Sequence, residues 1–217
     1  MSEQLRNNED QNKSEEHKRW SEYIESKKDK PPSPLLKKAI NFVDSREEAL
    51  DLGSGAFNDT KFLLSEGFEH TTAVDIANDT AQEIYNQLSL PKDKVEYIIS
   101  SFEDFDFPKD KFDLVNAQFS LPFNPSGTFN EMFEKIKGCL KEKGVFVGQF
   151  FGNKDEWNVQ GKNMSFHTEQ EAKQLLSNME ILKFEEEDEP EGKVCSGEPK
   201  HWHIFHIIAR KKSDSKN

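Results

Sequence analysis

From Glu48 onward, short apolar runs alternate with amphipathic helical patterns, and this alternation constrains the fold more than any other feature of the chain. Ala49-Leu50-Asp51-Leu52 is the first expected strand. Asn58 or Asp59 is placed to cap a helix that turns Phe62, Leu63 and Leu64 inward and stops at Gly67. A second strand runs from Thr71 to Val74 and ends at Asp75. Asn78 or Asp79 then caps a helix reaching about Leu90, before Pro91. Val95 to Ile99 and Phe112 to Ala117 form the third and fourth strands. A helix from about Thr128 to Leu140 precedes Gly144, and Val145 to Phe151 makes the fifth strand. Strands separated by helices must be joined by crossovers, so the sheet is expected to be parallel.

The last third reads differently. After a helix from about Thr168 to Leu176, two β-rich runs, Glu180 to Glu187 and Trp202 to Arg210, are separated by a Gly- and Pro-containing loop. That link is too short for a helical crossover and demands an antiparallel pair. At the front, residues 1–16 offer only Met1 and Leu5 as large apolar groups and are expected to stay unstructured, as is the tail 213–217. A short amphipathic stretch from Trp20 to Ile24 follows. Pro31-Pro32-Ser33-Pro34 then forces an extended break before a helix from Leu35 to Val43. A chain of 217 residues without an internal repeat fits one core, here over residues 17–212.

Composition narrows the partners. The net charge of −12 disfavours nucleic acid, whose phosphates require a basic stripe. No apolar run is long enough to cross a bilayer, and Met1 to Glu16 lacks the basic-then-apolar order of a signal peptide, so a cytoplasmic location without membrane contact is expected. Cys139 and Cys195 are far apart in sequence and are read as reduced thiols. The acidic run Glu185-Glu186-Glu187-Asp188-Glu189 with Glu191 is read as a solvated strand end and hairpin tip.

The chemistry concentrates in Asp51-Leu52-Gly53-Ser54-Gly55, between the first strand and the first helix of the alternating region. Glycines there let the backbone approach a ligand closely, and the carboxyl ends of parallel strands are where ligands collect. Twenty residues beyond Gly55, Asp75 ends the second strand, where a carboxylate accepts hydrogen bonds from both hydroxyls of a ribose. A dinucleotide site would place a third glycine at position 58, which holds Asn. Asp51 opens the turn with a negative charge, unsuited to a pyrophosphate and suited to the ammonium of an amino acid. A ligand with a ribose at one end and an ammonium at the other fits better than NAD.

With these features in order, the chain resembles class I S-adenosylmethionine-dependent methyltransferases, of the type 11/25-like domain and the small bacterial general type that includes tellurite-resistance-like members. Ala49 to Gly55 resembles the first family motif and Ala73-Val74-Asp75-Ile76 the second. Ser101-Phe102-Glu103-Asp104-Phe105 resembles the loop beside the adenine, and Phe112 to Ala117 the fourth strand. The resemblance implies a Rossmann-like, doubly wound α/β fold with a mostly parallel seven-stranded sheet ending in an antiparallel hairpin. It implies S-adenosyl-L-methionine as cofactor, with S-adenosyl-L-homocysteine as product. The cofactor residues it implies are Asp51, Gly53, Ser54, Gly55, Phe57, Asp75, Ile76, Ser101, Phe102, Asn116, Ala117 and Gln118. Two of these depart from type. Ser101 stands where Asp is common, and Phe57, in place of a glycine, either covers the methionine moiety or substrate or packs in the core. Asn116 and Gln118 either line the methionine end or cap the strand.

The expected reaction is in-line methyl transfer to a small-molecule acceptor. The cofactor supplies an activated carbon, so alignment and exclusion of water are the protein's main tasks. If the acceptor must lose a proton, the candidates for the base are His167, His201 and His203. His167 also fits as a helix-cap neighbour. His201 and His203 share a strand face, yet no third ligand accompanies them and no metal is expected; a substrate-lining role suits them better. Trp20, Tyr23 and Trp157 are candidates for a lid or for packing on the outer surface. A non-catalytic binding or scaffold protein and an NAD-type oxidoreductase are the competing readings. The acceptor, oligomeric state and pathway are not written in the motifs.

Overall fold

The computed structural model describes residues 18–76, 79–88, 90–159, 162–194 and 197–213. The segment 1–16, most of the 213–217 tail, Asn78 and Cys195, all interpreted above, lie outside the described residues. Residues 18–27 are helical (α1). Then follow α2 (Pro34–Ala39), continued by a 3-10 turn (Ile40–Phe42), β1 (Glu48–Leu52), α3 (Asn58–Ser65), β2 (His70–Asp75), α4 (Asp79–Gln87), β3 (Val95–Ile99) and β4 (Phe112–Ala117). A second 3-10 turn (Leu121–Phe123) leads into α5 (Ser126–Cys139), β5 (Leu140–Gly152), β6 (Phe166–His167), α6 (Glu169–Leu175), β7 (Met179–Lys193) and β8 (Pro199–Lys211).

The strands form one sheet in the order β3-β2-β1-β4-β5-β8-β7, with β6 paired to β5. β3 through β5 are parallel, and β8 runs antiparallel to both β5 and β7. The doubly wound α/β plan with an antiparallel end is therefore present. The two-residue β6 adds to the seven strands anticipated: β4 stops pairing at Ala117↔Gly148, and farther along β5 the Phe151–Gly152 edge pairs with it.

Alternation of side chains across the sheet divides the core. Leu50, Leu52, Phe112, Val115, Phe146, Phe150, Phe205 and Ile207 pack with Phe129, Phe133 and Ile136 of α5 on one face. Ala49, Leu114, Val145, Val147 and Ile208 pack with Leu35, Leu36 and Leu63 on the other. β4, covered on both faces, is buried at all six of its positions, as a central parallel strand should be. A third cluster joins Ile24 of α1 to Ala56, Phe57, Ala73, Ala81 and Ile84. It fixes the N-terminal helix over the β1–α3 turn.

Three local expectations are corrected. The cap position of α3 is Phe57, in the left-handed region at φ 59°, and no side chain caps this helix; Asn58 and Asp59 lie in its first turn and are used elsewhere. β5 begins at Leu140, directly after α5, because Lys143 takes a positive φ and the chain turns without leaving the sheet. The acidic run is exposed to solvent as expected, but it lies along the body of β7 rather than at a strand end and hairpin tip. Lys154 bonds Glu186 and Asp188, His203 bonds Glu186, His201 bonds Asp188, His206 bonds Glu187, and Lys183 pairs with Glu185. Cys139 is a free, buried thiol.

Candidate functional site

Above the carboxyl ends of β1, β2 and β4 lies a cavity of about 750 Å³. Its floor is the β1–α3 turn, and α1 with the Pro31–Pro34 strap passes over it. Gly53 has φ +78°, and a Cβ there would stand 2.4 Å from the Cβ of Ser120, whose hydroxyl donates to Leu52 O at 2.7 Å. The turn is thus pressed against the loop after β4, with room for a glycine only.

Asp75 is joined to that turn. Its Oδ2 accepts from the Gly55 N–H at 2.7 Å and its Oδ1 from the Ile76 N–H at 2.8 Å. Burial raises its pKa, against the lowering effect of these two amides. Each oxygen keeps a lone pair beyond its amide bond, as a bidentate acceptor facing the cavity requires.

A second acidic group lines the same cavity. Asp51, 2% exposed, accepts from Thr60 Oγ1 at 2.5 Å through Oδ2 and from Asn116 Nδ2 at 2.8 Å through Oδ1. The same Asn116 Nδ2 reaches Asp59 Oδ2 at 3.2 Å, and Asp59 Oδ1 accepts from the Ser33 N–H at 2.7 Å. Burial, and then the neighbouring Asp59 charge, push the Asp51 carboxyl up to about 7. Burial likewise raises Asp59, against the Ser33 and Asn116 hydrogen bonds and the Lys37 charge. Neither carboxylate forms an ion pair with a protein cation among the described residues. A polar chain continues from this pair: Gln118 Nε2 donates to Asn116 Oδ1 at 2.7 Å, and Gln118 Oε1 accepts from Ser33 Oγ at 2.6 Å and from Gln149 Nε2 at 2.9 Å.

Of the twelve anticipated cofactor residues, Asp51, Gly53, Ser54, Gly55, Asp75, Ile76, Ser101, Phe102 and Gln118 line the cavity. Phe57, Asn116 and Ala117 do not. Phe57 is fully buried against Tyr85 and Tyr97, with centroids at 5.4 and 4.9 Å, which is the core alternative rather than a cover for a ligand. Asn116 is buried beneath the cavity and acts on it through Asp51, Asp59 and Gln118; Ala117 belongs to the α5 face of the sheet. Ser101 spends its hydroxyl within its own loop, donating to Asp104 Oδ2 at 2.8 Å.

None of the three histidine candidates lines the cavity. His167 is buried against Phe129 and Phe150, and burial lowers its pKa. His203 fills the space over Gly152, bonds Glu186 at 2.8 Å and accepts from the Lys154 N–H at 3.1 Å. His201 bonds Asp188 at 2.6 Å. Ligating atoms of Glu186, Asp188 and His203 do approach within 4.8 Å of one another, but the Lys154 ammonium already lies against both carboxylates. Of the three lid candidates, Trp20 and Tyr23 border the cavity, Trp20 resting on Phe123 at 5.0 Å. Trp157 instead joins Trp202 in a cage around the buried Lys200. Asp59, Glu103, Phe119, Phe123 and Asn163 line the cavity and were not anticipated as site residues; for Asp59 its place eight residues after Asp51, in the first turn of α3, was the available signal.

Residues 49–144 match the family described as "Methyltransferase domain". No curated protein sequence matches the chain. Among solved structures, it is similar to an S-adenosylmethionine-dependent methyltransferase of Methanosarcina mazei, with TM-score 0.63 and 19% identity over 85% of this chain and 100% of that one. It is also similar to a Burkholderia thailandensis 1,6-didemethyltoxoflavin N1-methyltransferase with bound 1,6-didemethyltoxoflavin and S-adenosylhomocysteine, with TM-score 0.59 and 17% identity over 83% of this chain and 79% of that one. A third is the Haloferax volcanii complex between the Trm112 methyltransferase activator and a methyltransferase, with TM-score 0.71 and 13% identity over 94% of this chain and 99% of that one. At these identities the likenesses establish the fold.

Proposed function

We propose that this chain, whose residues 49–144 match the methyltransferase-domain family, is a class I S-adenosylmethionine-dependent methyltransferase that transfers the methyl group of that cofactor to a small-molecule acceptor. The observation that supports it most is the presence, in one cavity, of a turn-anchored carboxylate and of a buried carboxylate pair hydrogen-bonded to neutral donors. When bound, the cofactor supplies a sulfonium-activated methyl carbon.

The residues divide the work of holding it. Asp75 would accept from the ribose hydroxyls, and Ile76, Ser101, Phe102 and Glu103, which line the same cavity, would hold the base. Asp51 and Asp59 offer the negative field an ammonium needs. Trp20, Tyr23 and Phe123, which line the cavity, would exclude water from the acceptor, and Gln118 is held in place by Ser33, Asn116 and Gln149. With none of the three histidines lining the cavity, the acceptor is expected to present a lone pair without prior deprotonation by an imidazole. A cavity roofed by α1, in a chain of net charge −12, favours a small acceptor over a polyanion.

The test is an assay with methyl-labelled S-adenosylmethionine over a metabolite panel. Label on one acceptor class with stoichiometric S-adenosylhomocysteine is the expected result. Tight binding of the cofactor without transfer to any acceptor would instead support the scaffold alternative.

A further inference from the structure

The Asp51–Asp59 pair has an unusual composition for a buried site. Two carboxylates share a single amide, the Asn116 Nδ2, at 2.8 and 3.2 Å, and both line the cavity. Their other partners are neutral: Thr60 Oγ1 for Asp51 and the Ser33 N–H for Asp59. The charged groups facing the pair from the packed elements are Asp75 on β2, Lys37 on α2, and Lys27 and Lys30 at the cavity wall from the N-terminal segment. Lys37 acts on Asp59 only through space. Like charges at this range in a desolvated site do not both ionise without a cation.

We propose that Asp59, together with Asp51, forms the ammonium subsite of the cavity, and that the pair holds one proton which it surrenders to solvent when an α-ammonium group docks against it. This rests on the cofactor reading above. The proton leaves a carboxyl oxygen for the buffer, the ammonium keeps its own three, and the pair passes from one negative charge to two. Asp59 is thereby a binding residue, and cofactor affinity is linked to pH through it. Burial holds Asp51 near neutrality, which places the linkage between about pH 6 and pH 8.

The experiment is calorimetric titration of the full chain with S-adenosylhomocysteine in buffers of different ionisation enthalpy, from pH 6 to pH 8. The wild-type protein should release a proton on binding and bind about tenfold more tightly at pH 8 than at pH 6, the factor expected for one group titrating near 7. Asp59→Asn should still bind, with the proton release reduced and the pH dependence moved to lower pH, because burial then raises Asp51 without the Asp59 charge beside it. In a second arm, 5′-methylthioadenosine, which has the ribose and base but no ammonium, should bind the wild-type protein without releasing the proton. Binding of S-adenosylhomocysteine with no proton release, equal release with methylthioadenosine, or an unchanged pH slope in Asp59→Asn would each overturn the inference while leaving the cofactor assignment intact. Absence of S-adenosylhomocysteine binding at every pH would overturn both.

Discussion

The Oδ2 of Asp75 accepts a hydrogen bond from the Gly55 N–H at 2.7 Å, so the end of β2 and the turn after β1 form one rigid acidic cradle. Asp75→Ala removes this bond, the Ile76 bond and the carboxylate offered to the ribose. Cofactor affinity should fall by about 1–3 kcal/mol, the worth of charge-assisted hydrogen bonds. Titration with S-adenosylhomocysteine measures it, and unchanged affinity would move the ribose site away from Asp75.

Gly53→Ala sets a Cβ against Ser120 on a backbone at φ +78°. Overpacking and left-handed strain together should cost about 1–3 kcal/mol, read as a lower denaturant midpoint with an unchanged m-value. Ser120→Gly in the same background relieves the clash but not the strain, and should recover part of the loss.

Stability should carry the signature of Asp51. Burial, then Asp59, hold its carboxyl at about 7 against an ordinary value of 3.8, so between these values the folded chain binds a proton that the unfolded chain has released. The stability contributed by that proton is complete below about pH 4 and lost as the pH rises to about 7. Asp51→Asn should flatten the pH–stability curve across this window relative to wild type; parallel curves would show that Asp51 is ionised in the folded protein.

Lys200 and Asp155 form a buried pair at 2.6 Å, with the ammonium 3.3 Å from the Trp202 ring centroid and 4.3 Å from that of Trp157. Lys200→Met strands a buried carboxylate and should destabilise the fold by about 3–5 kcal/mol, whereas Lys200→Met with Asp155→Leu should recover most of it. Chemical denaturation of the two variants makes the comparison.

Strand positions were legible where an apolar run has sharp ends: Val95–Ile99, at the sheet edge, and Phe112–Ala117, buried on both faces, coincide with β3 and β4. The antiparallel hairpin was legible as a topology but not in length. β7 and β8 extend to Lys193 and from Pro199 because cross-strand pairs such as Glu186–His203 and Asp188–His201 hold polar residues in register, a long-range effect that local hydropathy does not encode. In the site, Asp51, Gly53 and Asp75 stood out by spacing. Asp59 did not, since an acid at a helix start ordinarily means a cap, and only the fold brings Asn116 beneath it. The histidines stood out by chemistry alone, and packing placed them outside the cavity.

The most direct test of the cofactor site is calorimetry of the wild-type chain with S-adenosylhomocysteine and, separately, with NAD. Micromolar-range binding of the first, weakened at least fivefold by Asp75→Ala, with no response to NAD, is the predicted result. Binding of NAD without S-adenosylhomocysteine would contradict it.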